Sequence, residues 1–246
     1  MSGVDRPQAR TGLRAASKGE AKASRMRTQF RDRTEAGQLL AQRLAHYAKR
    51  PDVLVLGLPR GGVPVAYEVS QRLEAPLDVF VVRKLGVPGH EELAMGAIAS
   101  GGVRVLNSAV VEALRIPKNL IDAVAAREQQ ELERRERAYR GDRNAPDVRG
   151  RTVIVVDDGI ATGSTMYAAI SALRQRGVTE IVVATPTISQ TTYHEMQREA
   201  DDLVAVIVPE QFDGVGQWYE DFSQTTDEEV RALLRKANEM QSHSLA

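Results

Sequence analysis

Residues 152–165 have the sequence TVIVVDDGIATGST, and this stretch decides the fold. Its first five residues are mostly β-branched and apolar, which predicts a short strand buried on both faces of a sheet. Asp157 and Asp158 follow at the carboxyl end of that strand, the edge at which open α/β sheets bind their ligands. A loop of small, hydroxylated residues comes next, and an Ala-rich helical pattern follows it over 166–176.

The chemistry of these residues suits a polyol that lies beside a phosphate. The two carboxylates can accept hydrogen bonds from vicinal hydroxyls. The backbone amides of Ala161–Thr165 and the positive end of the following helix dipole can hold an anion. We therefore expect a phosphorylated polyol to bind here.

Strand-like and helix-like segments alternate through the rest of the chain. Short apolar runs predict further strands at 53–56, 77–82, 181–184 and 203–208, with a break at Pro186. Helical patterns lie between them, at 30–47, up to about 73, at 120–140 and at 191–200. This order predicts an α/β fold with a mainly parallel, twisted sheet flanked by helices.

Two of the remaining segments have a predicted secondary structure but no catalytic or binding role assigned to them. Residues 94–99 and 103–106 are expected to form short strands around a turn at Gly101-Gly102. The helix 120–140 is rich in i,i+4 pairs of Glu and Arg, so we expect a solvated outer helix and a candidate face for a homodimer.

Composition sets the class of protein. The chain has 246 residues and 42% hydrophobic content, enough for a full core in one domain. We expect that domain to span 26–238, between a disordered basic leader at 1–25 and a frayed tail at 239–246. With 33 basic and 33 acidic side chains, no net field favours nucleic acid or an anionic membrane as partner. The sequence has no cysteine, no membrane-length apolar run and no signal-peptide core, so we expect a cytoplasmic protein.

Two further segments suit anions. Pro59-Arg60-Gly61-Gly62 follows the first strand, where paired glycines allow close approach and the guanidinium can meet phosphate oxygens. A simple tight turn is the alternative. Arg83-Lys84 is expected at the carboxyl end of strand 77–82, which also favours an anion. The glycine- and proline-containing segment 85–93 predicts a mobile hairpin lid, with a solvated surface hairpin as the alternative.

An aromatic segment lies near the carboxyl end of the domain. Phe212, Trp218 and Tyr219 fall within the Gly-rich residues 209–219 of a chain that is only 4% aromatic. Such a cluster beside a strand end can stack on a planar ring. The alternative is a satellite core under a C-terminal flap, which is favoured for Trp218.

Several common sites are missing from the sequence. The acid-pair strand is similar to a Walker B element, but no G-x-x-x-x-G-K-[ST] motif accompanies it. Metal-ligand spacing is absent among His46, His90, His194 and His243, which argues against a metal hydrolase. The sequence also lacks a G-x-S-x-G motif, a cysteine nucleophile and the dinucleotide fingerprint G-x-G-x-x-G.

The run 157–165, preceded by Val-Ile-Val-Val, resembles the phosphoribosyl pyrophosphate (PRPP) signature of the type I phosphoribosyltransferases. Pro59-Arg60-Gly61-Gly62 is similar to the pyrophosphate loop of that family, which often holds a non-proline cis peptide. Residues 83–93 are similar to its flexible catalytic loop. Phe212–Tyr219 is similar to part of its hood, here expected from 26–50 and 209–225. The order of these segments is similar to a bacterial branch whose acceptor is not established.

The resemblance implies a role for each segment. Asp157 and Asp158 would bind the ribose hydroxyls, act in catalysis with Arg83 and Lys84, and be candidate ligands of a Mg²⁺ ion that bridges ribose and pyrophosphate. The 5-phosphate would be held by Gly159, Ile160, Ala161, Thr162, Gly163, Ser164 and Thr165. Pyrophosphate would be held by Pro59, Arg60, Gly61, Gly62 and Lys84. Acid or base candidates on the lid are His90, Glu91 and Glu92, and acceptor candidates are Phe212, Trp218 and Tyr219.

One position departs from part of the family pattern. Hypoxanthine-guanine members carry an acid at the position of Ala161, where it contacts the purine. Ala161 therefore argues against an oxopurine acceptor and is closer to the adenine-type pattern.

The resemblance thus implies an enzyme that uses PRPP and Mg²⁺ to transfer a 5-phosphoribosyl group to an unidentified nitrogenous acceptor. The alternative is a regulator that keeps the fold and the PRPP site but senses nucleotide state without catalysis. The basic leader is the feature that favours this alternative, because it could reach RNA or DNA.

Overall fold

The computed structural model describes residues 29–141 and 143–244, so the predicted leader at 1–25 lies outside the described residues. The strands are β1 (Val53–Gly57), β2 (Leu77–Val79), β3 (Val82–Val87), β4 (His90–Ala99), β5 (Val103–Leu106), β6 (Thr152–Val156), β7 (Glu180–Thr187) and β8 (Asp202–Ile207). The helices are α1 (Arg33–Arg43), α2 (Gly62–Leu73), α3 (Ser108–Ala113), α4 (Lys118–Arg140), α5 (Ser164–Gln175), α6 (Gln190–Met196) and α7 (Asp227–Ser244). Short 3₁₀ turns lie at Ala45–Tyr47 and Val215–Trp218.

A five-stranded sheet in the order β2-β1-β6-β7-β8 forms the centre of the molecule, and all its strand pairs are parallel. One core packs α1, α2, α4 and α7 against one face of this sheet, and a second packs α5 and α6 against the other. β6 is the middle strand and every residue in it is buried. The mainly parallel α/β fold predicted from the sequence is confirmed, and the acid pair lies at the centre of the sheet edge.

A separate antiparallel sheet contains β3, β4 and β5. The prediction of one strand over 77–82 is wrong, because β2 ends at Val79 and β3 belongs to this second sheet. The chain changes sheets at Phe80 and Val81, whose amides donate to the Gly57 carbonyl and to Ser100 Oγ. Arg83-Lys84 therefore lies near the start of an antiparallel strand and not at the carboxyl end of a core strand.

β7 continues through Pro186, where the sequence predicted a break. The ladder between β6 and β7 ends at Ala184; beyond it the Ile160 amide donates to the Thr187 carbonyl at 2.9 Å, and the ladder with β8 continues. There the register runs from Thr185 to Thr187 and passes over Pro186. The missing proline N–H therefore removes no ladder hydrogen bond.

α4 has the exposed, charged outer face that its sequence predicted, and its inner face is buried. Leu132 and Tyr139 are buried in the core. Arg140 is buried too, and it donates to Asp78 Oδ1 at 2.8 Å and to the Val79 carbonyl at 2.6 Å. These bonds fasten the end of α4 to β2 at the sheet edge.

The C-terminal helix is longer than predicted. α7 continues to Ser244, beyond Asn238, where fraying was expected. Its residues Val230, Leu234 and Ala237 are buried against the core, which accounts for its persistence. In the part of the chain that the structure describes, no helix combines the length and apolar character needed to cross a membrane.

The start of the described chain pairs with the segment that precedes α7. Phe30 and Tyr219 form a parallel bridge. The Phe30 amide donates to the Trp218 carbonyl and the Glu220 amide donates to the Phe30 carbonyl, each at 2.8 Å. This pairing brings together the segments 26–50 and 209–225 that were expected to build the hood.

Candidate functional site

The loops that follow β1 and β6 lie side by side, because these strands are neighbours in the sheet. The Leu58 amide donates to the Val156 carbonyl at 2.9 Å. The Pro59–Arg60 peptide bond is cis. Among the described residues, no hydrogen bond or ion pair engages the Arg60 guanidinium, which leaves it available to an anion.

Gly61 and Gly62 allow these two loops to pack closely. A methyl group on Gly61 would overlap the carboxylate of Asp158. A methyl group on Gly62 would lie 2.5 Å from the Val156 carbonyl oxygen and 2.9 Å from Asp157 Cα. A side chain at position 61 would therefore displace the Asp158 carboxylate, and one at position 62 would displace the backbone of the acid pair.

Asp157 and Asp158 are fixed by the backbone and by burial. The Asp158 amide donates to Asp157 Oδ1 at 2.9 Å. Burial raises the pKa of Asp157 well above the usual carboxyl range, and the charge of Asp158 raises it further. Burial also raises the pKa of Asp158, although the Arg33 guanidinium opposes that rise. This environment disfavours two negative charges until a cation or hydroxyl donors reach it.

Arg33, at the start of α1, was missed in the sequence. Its Nε donates to Asp158 Oδ2 at 2.8 Å, and the two side chains are only 12% and 14% exposed. Its Nη1 donates to the Ser223 carbonyl at 2.7 Å. The ion-pair partners lie 125 residues apart in the chain, so no local pattern links them. The Asp32 helix cap indicates only that a helix begins here.

The loop between β6 and α5 is braced on one side and open on the other. Ser189 Oγ and Thr192 Oγ1 donate to the Ala161 carbonyl at 3.1 and 2.5 Å. Gly163 caps α5 with a φ of 72°, a value that favours glycine. Ser164-Thr165 is exposed, and the first amides of a helix lack intrahelical acceptors. The loop therefore offers amides, hydroxyls and a helix dipole to an anion.

Arg83 and Lys84 point to opposite faces of β3, as successive residues of a strand do. Lys84 lines a cavity of about 320 Å³ between the small sheet and α5, together with Ser164 and Thr165. Arg83 instead donates from Nε and Nη2 to Glu128 Oε2 of α4, at 2.9 and 2.5 Å. The structure brings Lys84, and not Arg83, to the residues at the start of α5.

His90, Glu91 and Glu92 lie at the exposed tip of the β3–β4 hairpin. Hydrogen bonds from its own amide and from the Gly89 amide lower the pKa of the Glu91 carboxyl. A lowered pKa makes this group a weaker proton acceptor. Glu92 accepts from Lys84 Nζ through its backbone carbonyl, at 3.3 Å.

The predicted acceptor residues occupy different positions. Tyr219 is buried and donates its hydroxyl to the Asp158 carbonyl at 2.6 Å, so it supports the acid pair and does not expose a stacking face. Phe212 and Trp218 are half-buried and stack with ring centroids 6.2 Å apart. Trp218 also lines an open, largely polar cavity of about 530 Å³.

Gly159 and Ile160 connect the loop to its surroundings. A methyl group on Gly159 would overlap the side chain of Val215, so this hood residue lies directly on the loop. Ile160 is buried and pairs with Ile188 beyond β7. Both residues therefore fix the loop in place, and Val215 is a second contact that the sequence did not indicate.

The acid pair could supply some, but not all, of the ligands of a Mg²⁺ ion. Carboxylate oxygens are ligands that Mg²⁺ prefers. Among residues 29–141 and 143–244, however, no group of three or more His, Asp or Glu side chains could hold a metal. Asp157 and Asp158 thus suit an ion that takes its other ligands from substrate phosphates and water.

Comparisons with known proteins agree with this geometry. The model of the phosphoribosyl transferase domain matches residues 32–217. A Mycobacterium tuberculosis protein with the provisional name phosphoribosyl transferase is 47% identical over 209 residues, which are 85% of this chain and 47% of that protein. The chain thus spans about half the length of this relative. The bifunctional protein PyrR of Chloroflexus aurantiacus is 32% identical over 120 residues, 48% of this chain and 60% of its own.

Among solved structures, that of the protein TT1426 from Thermus thermophilus is 43% identical to this chain, with a TM-score of 0.76. The match covers 85% of this chain and 98% of that one. The family model spans the acid pair, the glycine loop and the hairpin, from α1 to the hood. The chain therefore belongs to the type I phosphoribosyltransferase family.

Proposed function

We propose that this chain transfers the 5-phosphoribosyl group of PRPP to a nitrogenous acceptor and releases pyrophosphate. The packing of Gly61-Gly62 against Asp157-Asp158, beside the open N-terminus of α5, is the observation that carries the proposal. The three segments would then lie in the same order as the parts of PRPP that they bind. The glycine loop would hold the pyrophosphate, the acid pair the ribose, and the loop before α5 the 5-phosphate.

The reaction exchanges one bond at the anomeric carbon for another. The C1–O bond to pyrophosphate breaks, and pyrophosphate leaves with the electron pair. A C1–N bond forms to the acceptor, whose nitrogen gives up a proton to solvent or to a base. The carbon passes through an oxocarbenium-like state, so the chain would act mainly by positioning the donor and stabilising the leaving group.

Each segment has a part in that task. Arg60, the Gly61-Gly62 amides and Lys84 would hold pyrophosphate, while the acid pair would orient the ribose. Bound Mg²⁺ would supply positive charge to the pyrophosphate oxygens. Closure of the hairpin 85–93 would exclude water, which competes with the acceptor for C1. The exposed methyl group of Ala161 cannot hydrogen-bond a base, which supports an acceptor other than an oxopurine.

Titration calorimetry of PRPP with Mg²⁺ tests the donor site. The double variant Asp157→Asn/Asp158→Asn should bind at least about 100-fold more weakly than wild type, because hydrogen bonds to charged groups contribute about 1.5–3 kcal/mol each. Asp122→Asn is the control, since the Asp122 carboxylate lies on the surface of α4, where it pairs with Arg104 of β5. Equal affinity of the double variant and wild type would contradict the ribose role.

A panel of purine and pyrimidine bases, scored by pyrophosphate release, tests catalysis and identifies the acceptor.

The second candidate function is a PRPP- or nucleotide-sensing regulator on the same fold. The partial likeness to a relative named as bifunctional, PyrR, favours keeping it. Tight PRPP binding with no pyrophosphate release for any base would support the regulator.

Replacement by glutamine is expected to change ligand affinity at Lys84 and protein stability at Arg83. Lys84→Gln should weaken binding of inorganic pyrophosphate with Mg²⁺ by about tenfold, since one charged contact is lost. Arg83→Gln should lower thermal stability, because the mostly buried Glu128 carboxylate then keeps only the largely exposed Arg127 as an ion-pair partner. Calorimetry and thermal melts of both variants distinguish the two effects. Glu128→Gln should reproduce the Arg83 result, and a large loss of pyrophosphate affinity in either would show that Arg83 reaches the ligand.

A further inference from the structure

Arg33 joins the ribose acid to the hood. Its Nε holds Asp158 Oδ2 at 2.8 Å, and its Nη1 holds the Ser223 carbonyl at 2.7 Å. The guanidinium also lies over the ring of Phe222, 4.1 Å from the centroid. One side chain therefore contacts the loop after β6 and the segment that follows the 3₁₀ turn Val215–Trp218.

The backbone fixes Arg33 from both directions. Asp32 caps α1 by accepting from the Glu35 amide at 2.8 Å, which sets the first turn of the helix. Just before it, the Asp221 amide donates to the Arg31 carbonyl at 2.9 Å. Because α1 is packed against α2 and the sheet, Arg33 has little freedom to leave Asp158.

We propose that Arg33 is a positioning residue for ribose recognition: it fixes one oxygen of Asp158 so that the other faces the ribose, and it links this acid to the hood. The inference rests on the proposed function, since it assigns Arg33 a task within the PRPP site. Arg33 acts through Asp158 and touches no part of the donor.

Electrostatics explains why a cation belongs at this position. PRPP carries several negative charges, and two adjacent carboxylates without a counter-charge would repel it. Arg33 offsets the charge of Asp158 from the side of the hood and leaves the opposite side open. A nearly buried ion pair adds little to stability compared with apolar packing, so the fold alone does not require one here.

A double-mutant cycle tests the inference, with ribose 5-phosphate and inorganic pyrophosphate as separate probes in the presence of Mg²⁺. The variants are Arg33→Gln, Asp158→Asn and their combination. Arg33→Gln should weaken ribose 5-phosphate binding by about tenfold and change pyrophosphate binding by less than about twofold. In the Asp158→Asn background the same change should have almost no effect, because its route to the ligand is gone.

Two further variants separate positioning from folding. Arg33→Lys keeps the charge without the two-point contact, so it should recover part of the lost affinity. Arg43→Gln removes a guanidinium of the same helix that donates to the Ala205 carbonyl at 3.1 Å, and it should bind both probes like wild type. Thermal melts of every variant test whether each remains folded.

Three results would overturn the proposal: equal losses for both probes, an undiminished Arg33→Gln effect in the Asp158→Asn background, or tighter binding by Arg33→Gln. The last would show that Arg33 competes with ribose for the acid. Failure of the wild type to bind PRPP, ribose 5-phosphate or pyrophosphate overturns the proposed function as well. Binding by the wild type without coupling in the cycle overturns the role of Arg33 alone.

Discussion

Alanine at position 61 is expected to weaken PRPP binding by at least about 100-fold while the chain stays folded. Gly61 has φ −61° and ψ −31°, which alanine adopts freely, so the backbone is not strained. The new methyl group would overlap Asp158 Oδ2, the end of a side chain that can rotate away. That rotation separates Asp158 from Arg33 and removes one of the two carboxylates from the ribose site.

The neighbouring glycine gives a contrasting result. A methyl group on Gly62 meets backbone atoms of Val156 and Asp157, which cannot rotate aside, so Gly62→Ala should cost about 1–3 kcal/mol of unfolding free energy. Gly214→Ala is the matched control in the hood, because no atom lies within 4 Å of the added methyl. Calorimetry with PRPP and Mg²⁺, combined with denaturant unfolding, measures both quantities. Wild-type affinity in Gly61→Ala would show that the glycine loop does not control Asp158.

Asparagine at position 157 is expected to weaken PRPP binding by at least about tenfold and, at neutral pH, to stabilise the fold. Burial and the charge of Asp158 raise the pKa of Asp157, so the folded state disfavours its ionised form. Asparagine occupies the same volume and still accepts the Asp158 amide, but carries no charge. A gain in Tm of about 2–4 °C is the shift that 1 kcal/mol gives in a domain of this size.

The pH dependence gives the sign of this effect. Below the ordinary carboxyl pKa both folded and unfolded chains hold the proton, and Asp157 has no effect on stability. As pH rises toward the raised pKa, the unfolded chain ionises first, and wild type loses stability relative to the asparagine variant. Thermal melts of both proteins from acid to neutral pH should therefore diverge as pH rises. A constant difference, or a less stable variant at neutral pH, would contradict the burial of this charge.

The arrangement of the residues around Asp157 and Asp158 was predictable because these residues are contiguous in the chain. Strand, acid pair, loop and helix follow one another between 152 and 176, and their order along the chain is also their order in space. The glycine loop could be added because it follows a strand that pairs beside β6. Parallel strands end at one sheet edge, so two loops at that edge must meet.

Arg83 and Arg33 show where this reasoning stops. The expected cationic pair assumed one strand over 77–82, but the chain changes sheets at Phe80, and alternation along β3 then turns Arg83 toward Glu128. That exchange depends on which strands pair, which is a property of the whole fold. Arg33 belongs to a segment with no functional motif, and its contact with Asp158 exists only once α1 has packed.

The burial of Arg140 in α4 was not predicted, for a related reason. The many Glu–Arg pairs of α4 are typical of a solvated helix, yet Arg140 is buried against Asp78 and the Val79 carbonyl. A buried arginine is stable when its donors are matched by acceptors, and those acceptors come from a strand far away in sequence. Helical periodicity alone carries no information about such partners.

The pairing of Phe30 with Tyr219 also bears on how the protein is made. A hydrogen bond from Gln29 to the Gln217 carbonyl spans 188 residues, so this pairing joins the start of the described chain to a segment made much later. During synthesis the glycine loop, acid pair and phosphate loop can assemble while the hood strand is still missing, because domains build from the N-terminal side. A nascent chain that ends before Trp218 would hold the loops after β1 and β6 without the segment that contacts them through Val215 and Tyr219. Among the described residues, this segment and α7 are therefore made after the loops at the sheet edge.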